Sequence, residues 1–399
     1  MRRARRADVS AWARGGALSG PVQRALRRAG EAPLVYGNAA SLLVDGTQAY
    51  PAMLERIAAA ESRVHLENYI FRDDAVGHRF AEALAERARA GVEVRVLYDW
   101  FGSFRTSRGF WDALRRPGCA VLPFGPPALR RPGRLLRRDH RKLLVVDGRT
   151  AVIGGLCIGI EWEGEADAPC WRDTAVLLEG PVARELDRAF VRMWRRAGGH
   201  APGPLPVITA PCGDVAVRVV DGPPAHARAY RLYQMLAAMA ERTLYVTGAY
   251  PLAPVTLRRA LGAAARAGVD VRLLAPGRSD VPILNQAARA HYASLLRAGV
   301  RIYEWTGPML HAKSVVADGR LAVVGSSNLN PFSFTGNFEL DVEIQDPALA
   351  GALERQFLED LQSAREVTLD SWCARPLRQR LGERLGAAVL WLPYRIYGG

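Results

Sequence analysis

The chain has 399 residues, a 49% hydrophobic composition and a formal net charge of +14 at pH 7. This length and composition fit a large folded protein with two domain cores and exclude a disordered chain. The positive charge favours an anionic partner, which can be nucleic acid, a membrane surface or a phosphorylated substrate. No apolar run reaches the roughly 20 residues that span a bilayer, and the Arg-rich beginning lacks the apolar stretch of a secretory signal. We therefore expect no transmembrane body.

The predicted elements of the first half are a β-α-β unit and a hairpin. They are a strand at Val64 to Ile70, an amphipathic helix ending in Arg-Ala-Gly, a strand at Val92 to Leu97, and a hairpin of Lys142 to Val146 with Thr150 to Ile153. The hairpin is indicated by an Asp-Gly pair between two short apolar runs.

The second half repeats this order. Its elements are a strand at Leu244 to Ala249, a helix ending in Arg-Ala-Gly, a strand at Val269 to Leu274, and a hairpin of Lys313 to Ala317 with Leu321 to Val324. Such internal similarity predicts an α/β fold: two similar α/β sandwich domains with mixed sheets, related by a pseudo-two-fold duplication and sharing one active site.

The repeat also predicts how the chain is divided. A Gly- and Pro-rich segment at residues 198–212 interrupts the pattern, so we place the boundary between the halves near residue 205. The predicted parts are a basic N-terminal arm (1–33), a first domain (34–205), a second domain (206–365) and a basic C-terminal tail (366–399). The basic, Pro- and Gly-rich segment 123–139 leads into His140 and is typical of a loop that faces anionic groups.

Two residue types are used unevenly. The chain has 52 arginines but only two lysines, Lys142 and Lys313, and each lysine follows a histidine by two residues. The lysine ammonium is a compact charge, unlike the planar guanidinium, so these two positions indicate sites that need the compact charge. The five cysteines are scattered and never closely paired, which indicates a reducing compartment.

Two matching motifs carry the chemistry. HRKLLVVDGRTAVIGG begins at His140 and HAKSVVADGRLAVVGS begins at His311. Residues i and i+2 of an extended strand face one side, so each histidine and its lysine point toward one pocket. Histidine can be a nucleophile or a proton donor near neutral pH, and displacement at a phosphodiester needs one of each. The lysines would hold the non-bridging oxygens.

These motifs resemble the paired HKD motifs of the phospholipase D superfamily. ENYIFRDDAVG, WRDT, GVDVRLLAPGRSDVP and the stretch from GVRIYEW to MLHAK resemble its bacterial cardiolipin synthase branch, so the similarity covers about residues 40–365. The resemblance implies a reaction without metal or cofactor. In it, His140 forms a covalent phosphohistidine, while His311 protonates the leaving alcohol and then acts as base for the second alcohol.

The resemblance implies roles for further residues. Asp173 and Glu339 lie 33 and 28 residues after the two motif histidines, where the family carries the acid that orients a histidine. In the second half, Ser326 and Asn328 match the family's phosphate-binding positions. The first half has Gly155 and Cys157 there, and cysteine is a weak donor where an amide is expected, so its contribution would come from the backbone.

The candidate catalytic residues are thus the histidine, lysine and aspartate of both motifs. They are His140, Lys142, Asp147, His311, Lys313 and Asp318. The two aspartates complete the motif, but Asp before Gly is what a tight turn prefers, and we favour this structural interpretation for both. The remaining histidines and acids show no metal-ligand spacing, so no metal site is predicted.

The ends of the chain favour a lipid surface over nucleic acid. Residues 377–392 place Leu377, Leu381 and Leu385 at helical spacing among arginines, as an interfacial amphipathic helix does; a helix packed on the catalytic domains is the alternative. Basic clusters are attracted to anionic lipid by about 1 kcal/mol per charge. No basic stretch interleaved with aromatic residues, typical of nucleic-acid binding, stands out. We expect anionic phospholipid substrates and a peripheral location at the bacterial cytoplasmic membrane.

The function predicted on these grounds is cardiolipin synthesis. A phosphatidyl group from phosphatidylglycerol, or a related phospholipid, would pass through His140 to a phosphatidylglycerol hydroxyl. Water as acceptor would make the protein a phospholipase D, and a metal-independent nuclease or phosphodiesterase is the alternative from another class. The same motifs serve all three activities, so the motifs alone leave them open.

Overall fold

The computed structural model describes residues 18–127, 137–165, 169–200, 203, 210–224, 226–376, 382, 383 and 386. Within them the strands are β1 (Leu34–Val44), β2 (Arg63–Asn68), β3 (Glu93–Asp99), β4 (Ala120–Phe124), β5 (Leu143–Val146), β6 (Thr150–Gly154), β7 (Thr174–Glu179), β8 (Val215–Gly222), β9 (Thr243–Gly248), β10 (Asp270–Pro276), β11 (Arg301–Trp305), β12 (Lys313–Ala317), β13 (Leu321–Gly325), β14 (Glu339–Gln345) and β15 (Ala364–Val367).

The helices of the same residues lie between and beside these strands. They are α1 (Gly20–Gly30), α2 (Asp45–Ala58), α3 (Ala75–Arg89), α4 (Arg108–Arg115), α5 (Ile160–Glu163), α6 (Val182–Arg196), α7 (Arg228–Met239), α8 (Val255–Arg266), α9 (Pro282–Arg289), α10 (Tyr292–Arg297), α11 (Pro331–Thr335), α12 (Pro347–Gln362) and α13 (Leu369–Cys373). Among the described residues, no helix is long and apolar enough to cross a membrane.

The described strands form one mixed sheet in the order β15-β11-β10-β9-β12-β13-β14-β8-β1-β7-β6-β5-β2-β3-β4. Reading outward from its centre, β8-β14-β13-β12-β9-β10-β11 matches β1-β7-β6-β5-β2-β3-β4 strand for strand. The predicted α/β fold with a pseudo-two-fold duplication is confirmed. The two halves share one sheet, however, because β1 and β8 pair with each other in antiparallel register.

Parallel strands in each half are joined by helices that end at a glycine. The Arg-Ala-Gly sequences place Gly91 after α3, Gly268 after α8 and Gly299 after α10, with φ of 87°, 95° and 91°. A side chain at these positions would be strained, so glycine ends each helix and turns the chain into the next strand. The β2-α3-β3 and β9-α8-β10 units that result are the two predicted β-α-β units.

The three largest apolar clusters of the described residues cover the two faces of the sheet. The central cluster joins residues of both halves with the apolar faces of α6 and α12. One outer cluster contains α2, α3 and α4 on the first half, and the other contains α7, α8 and α10 on the second. Alternate residues of β5 enter different clusters, since Val145 joins the central one and Leu144 the outer one.

Both predicted terminal regions contain segments that pack on the second half. Leu26 of α1, within the proposed N-terminal arm, is buried in the outer cluster of that half, and so is Trp372 of α13 in the proposed C-terminal tail. Arg375 lies over the ring of Trp372 and pairs with Glu383. The beginning of the tail thus packs on the second half, and the two interpretations of the amphipathic segment 377–392 stay predictions. The proposed amphipathic segment 377–392 except residues 382, 383 and 386, the proposed boundary at residue 205 and most of segment 123–139 lie outside the described residues.

The two Asp-Gly turns are anchored to the strands beside them. Asp147 and Gly148 have φ of 52° and 60°, and Asp318 and Gly319 have 55° and 62°, as a type I′ hairpin requires. The Asp147 carboxylate accepts backbone N–H bonds of 2.7 to 2.9 Å from residues 61 to 63. Asp318 does the same for residues 241 to 243.

These bonds correct the placement of both aspartates among the candidate catalytic residues. Their carboxylates accept the backbone N–H groups at the start of β2 and of β9, away from the motif histidines. The physical reason is that a carboxylate satisfies several adjacent backbone donors that would otherwise be left unpaired at the beginning of a strand. The structural interpretation of the two aspartates therefore holds.

Replacing Asp147 by Asn should lower the free energy of unfolding by about 2 kcal/mol, because a charged acceptor of several backbone bonds is lost while the tolerance for positive φ is kept. The pKa of Asp147 lies below its ordinary value, because the backbone and Ser62 bonds outweigh burial. Its contribution is therefore present above pH about 4 and is lost as the pH falls below that value.

Denaturant titration of wild type and Asp147→Asn at several pH values measures this difference. Asp112→Asn, on the exposed side of α4, is the control and should change stability little. Turnover per folded molecule of Asp147→Asn should stay near the wild-type value; its abolition in a fully folded variant would contradict the structural role.

Candidate active site

Short backbone bridges bring the two halves together at the motif histidines. The N–H of His140 donates to the carbonyl of Phe338 at 3.0 Å, and the N–H of Phe338 donates to Arg138 at 2.8 Å. The N–H of His311 donates to the carbonyl of Arg172 at 2.7 Å in the same way. Phe338 and Arg172 directly precede the two predicted orienting acids, so each bridge places an acid beside the histidine of the opposite half.

The two histidine–carboxylate pairs are therefore crossed. Nδ1 of His140 donates to Glu339 at 3.0 Å, and Nδ1 of His311 donates to Asp173 at 2.7 Å. Each acid follows one motif in the sequence but holds the histidine of the other. The bond at Nδ1 fixes the ring and leaves Nε2 as the nitrogen that can react.

Each carboxylate has a second donor from its own half. Ser326 Oγ donates to Glu339 at 2.6 Å, and Trp162 Nε1 donates to Asp173 at 2.9 Å. Both acids are buried, so these donors satisfy oxygen atoms that water does not reach. The orientation of each histidine is thus set by a chain of two hydrogen bonds.

The two lysines lie beside the histidines of their own motifs, and their role in holding the non-bridging oxygens stays a prediction. The Lys142 ammonium donates to the carbonyl of His140 and lies 5.2 Å from the ring centre of Tyr69. The Lys313 ammonium donates to the carbonyl of His311 and lies 2.9 Å from its Nδ1. Both lysines are at least 97% buried, so their charges act in a low-dielectric environment.

Burial and charge set the protonation of the site. Burial lowers the pKa of His311 to about 4, and the Lys313 ammonium adds to the effect. Burial also lowers the pKa of His140, although Glu339 opposes it, and lowers the pKa of Lys313 to about 8. Burial would raise the pKa of Asp173, but His311 and Lys313 hold it below its ordinary value. The free site thus has neutral imidazoles and an ionised Asp173 near neutral pH.

The two histidines line one cavity of about 710 Å³. Aromatic rings surround them: Tyr69 lies 4.9 Å from His140, and Trp162 and Trp171 lie 5.5 and 5.7 Å from His311 between ring centres. The rings surround the reacting nitrogens in a pocket whose lining also includes polar side chains such as Arg72, Asn328 and Asn337. Within the described residues, no group of three His, Cys, Asp or Glu side chains is arranged to hold a metal ion.

The predicted phosphate-binding positions differ in whether their side chains line the cavity and in what they contact. Asn328 lines the cavity and is 5% exposed, and its side-chain oxygen has no hydrogen-bond partner among the described residues. Ser326 is instead engaged with Glu339. Cys157 lines the cavity, and burial raises the pKa of its thiol.

Gly155, predicted to contact phosphate through its backbone, donates its N–H to the carbonyl of Thr174 at 3.0 Å and accommodates an acid beside it. A Cβ atom on Gly155 would lie 2.2 Å from Oδ1 of Asp173, so the absence of a side chain makes room for that carboxylate. The equivalent residue of the second half is Ser326, whose hydroxyl reaches the longer Glu339. The two halves therefore have different residues at this position because they have different acids beside it.

Sequence reasoning missed two buried arginines and the tryptophan that support the site. Arg172 pairs with Asp360 at 2.9 Å, and Arg141 pairs with Glu67 at 3.2 Å. Both arginines stand next to residues of the site, in WRDT and in HRK, so their adjacency was the available signal. Trp162 carries no signal of its own in the sequence.

Comparisons with known proteins agree with this geometry. A family model described as "Cardiolipin synthase, PLD-like domain" matches residues 53–194 and 233–361. The cardiolipin synthase of Geobacillus kaustophilus (strain HTA426) is 34% identical over 371 residues, which cover 91% of this chain and 74% of that protein. The major cardiolipin synthase of Bacillus subtilis (strain 168) is 32% identical over 355 residues, covering 87% and 73%.

A solved structure shares the fold. The crystal structure of phosphatidylserine synthase from Haemophilus influenzae Rd KW20 matches with a TM-score of 0.72 at 14% identity, covering 94% of this chain and 98% of that one. The duplicated sheet and the paired motifs define the class, the phospholipase D superfamily. Within it, the chain belongs to the family of the cardiolipin synthase, PLD-like domain.

The crossed pairs predict which variants behave alike. Asp173→Asn should lose activity about a hundredfold or more and resemble His311→Ala in its kinetics, because a neutral amide does not stabilise the imidazolium of His311 and favours the wrong tautomer of its ring. Glu339→Gln should resemble His140→Ala. Steady-state kinetics together with trapping of any covalent phosphoenzyme distinguish the two classes. If Asp173→Asn instead matched His140→Ala, the crossed assignment would be wrong.

Gly155→Ala should reduce activity at least about tenfold with the fold retained, because the added methyl group displaces the Asp173 carboxylate from His311. Gly351→Ala, on helix α12, is a matched control, since its Cβ would contact only the end of Arg355 at 3.5 Å. Turnover and thermal unfolding measured for both variants check the prediction. Wild-type turnover in Gly155→Ala would show that the glycine is dispensable.

Proposed function

We propose that this protein is a phosphatidyltransferase that makes cardiolipin from phosphatidylglycerol or a related phospholipid donor. The observation that carries the proposal is the presence of two imidazoles, each held at Nδ1 by a carboxylate of the opposite half, in one buried cavity. A phosphodiester displacement needs a nucleophile and a proton donor on opposite sides of phosphorus, and this arrangement supplies both.

In the first step, Nε2 of His140 attacks phosphorus of the donor. The bond from phosphorus to the glycerol oxygen breaks, and a proton from Nε2 of His311 passes to that oxygen, which leaves a phosphatidyl group on His140. The entering phosphodiester is an anion, and its charge favours protonation of a nearby imidazole that is neutral in the free site. His140 is assigned as nucleophile because of its resemblance to the N-terminal motif of the family.

In the second step, the hydroxyl of a second phosphatidylglycerol replaces His140 on phosphorus. His311 takes the hydroxyl proton, the phosphorus–nitrogen bond breaks, and both histidines return to their starting state. We assign Lys142 and Lys313, which lie beside the two histidines, and Asn328, which lines the cavity, to the charge on the non-bridging oxygens, which stays in place through both steps. The buried ammonium groups stabilise it more strongly than they would in water.

The choice of acceptor depends on how water is excluded. The rings of Trp162, Trp171 and Tyr250 enclose His311, the residue that activates the acceptor hydroxyl. Aromatic rings next to this residue favour a lipid alcohol over water and support synthesis over hydrolysis. We further propose that the protein acts peripherally, at the surface of the bacterial cytoplasmic membrane, where its substrates are held.

Purified full-length protein incubated with phosphatidylglycerol vesicles should produce cardiolipin and glycerol in equal amounts, without added metal. His140→Ala and His311→Ala should each reduce the rate by about a thousandfold or more. Mass spectrometry of the lipids measures both products. Phosphatidic acid as the sole product would assign a phospholipase D instead, and cleavage of plasmid DNA without any lipid product would assign a nuclease.

A phosphodiester with a good leaving group can distinguish the roles of the two histidines. Its departure needs no proton, so His311→Ala should still form the covalent intermediate and accumulate it, whereas His140→Ala should form none. Mass spectrometry of the quenched protein locates the adduct. An adduct on His311 in the His140→Ala variant would reverse the assigned roles.

A further inference from the structure

Exposed apolar side chains are concentrated at the mouth of the active-site cavity. Within the described residues, seven large apolar side chains are exposed, and four of them, Phe101, Phe104, Ile283 and Phe332, also line the cavity that holds the two histidines. Their exposed fractions are 56%, 61%, 40% and 37%. We call these four residues the apolar rim.

The rim comes from equivalent places in the two halves. Phe101 and Phe104 lie in the turn that follows β3, and Ile283 is the second residue of helix α9, which follows β10, the matching strand of the second half. Phe332 lies on α11. Because the carboxyl ends of matching parallel strands border the same cavity, the rim flanks the mouth from both halves.

The backbone beneath the rim is held in place. Asp99 accepts the N–H groups of Phe101 and Gly102 at 2.9 and 3.0 Å, and a Cβ on Gly102 would lie 2.2 Å from the carbonyl of Tyr69. In the second half, Tyr250 donates to Asp280 at 2.6 Å beside the start of α9. The apolar side chains are thus presented to solvent by fixed segments, and exposed apolar patches of this kind mark interaction sites.

The charge around the rim favours an anionic partner. Arg105 is exposed, its guanidinium lies 5.5 Å from the ring centre of Phe104, and no carboxylate pairs with it among the described residues. Arg108, the first residue of α4, has a side chain that is 95% exposed and lies 3.8 Å from the half-exposed Asp112. Aromatic rings beside arginines are the combination that interfacial surfaces use at anionic lipid headgroups.

We propose that the apolar rim is a docking surface that enters the headgroup and acyl boundary of an anionic phospholipid bilayer and sets the cavity mouth against it. The proposal rests on the proposed function, since a donor whose phosphate reaches His140 has acyl chains that leave the cavity past these four side chains. The rim would keep those chains in contact with apolar atoms during transfer, and Arg105 would contact neighbouring headgroups.

The first test is the ratio of turnover on phosphatidylglycerol vesicles to turnover on monomeric short-chain phosphatidylglycerol. In full-length Phe101→Ser/Phe104→Ser this ratio should fall about tenfold or more, because two aromatic side chains no longer enter the bilayer. Tyr36→Ser and Leu358→Ser remove exposed apolar side chains that do not line the cavity, and they should leave the ratio at the wild-type value. An unchanged ratio in the rim variant, or an equal loss on both substrates, would overturn the docking role.

The second test does not depend on turnover. In His140→Ala, vesicles containing phosphatidylglycerol should slow amide hydrogen exchange in residues 100–106 and 281–284 several-fold, while β1 around Tyr36 should not change. Vesicles of phosphatidylcholine alone should give less protection. Exchange that is unaffected by vesicles at both rim segments would refute the docking surface. Protection without any cardiolipin formed by the wild type would refute the proposed function and leave the docking surface standing.

Discussion

The structure depends on the crossed hydrogen bonds between the motif histidines and the carboxylates of the opposite halves. Neither half contains a complete reactive histidine, because Glu339 holds His140 and Asp173 holds His311. Both pairs are buried, where an unpaired charge or an unsatisfied nitrogen would cost several kcal/mol. The joined sheet, the central apolar cluster and the short backbone bridges all serve to keep the halves in the register that these pairs need.

The duplicated framework holds two unequal sites. Glu339 is longer by one methylene group and is met by the Ser326 hydroxyl, whereas Asp173 is met by Trp162 and lies against Gly155. The surroundings of the histidines differ as well, since more aromatic rings enclose His311 than His140. This inequality suits a reaction in which one imidazole binds phosphorus covalently and the other only moves a proton.

Much of the fold could be predicted because its signals are local. The Asp-Gly hairpins, the Arg-Ala-Gly helix ends and the alternating strands lie within a few residues of their own signals, and each occurs twice. The terminal regions were less predictable, because an arginine-rich amphipathic sequence has the same pattern whether its apolar face contacts lipid or a neighbouring helix. In the structure, Leu26 and Trp372 are buried on the second half. The apolar rim could not be predicted from the sequence, because its residues come from three separate segments.

The sequence by itself determined the duplication, the family, and the two histidine–lysine pairs, since a repeated motif and its spacing are properties of the chain alone. Only the tertiary structure decided which acid serves which histidine: Asp173 lies 138 residues from His311 and 199 residues separate His140 from Glu339, yet these are the pairs that form. It also decided that Asp147 closes a strand and that Gly155 accommodates a carboxylate. Those outcomes depend on backbone contacts between the halves, which spacing along the chain does not encode.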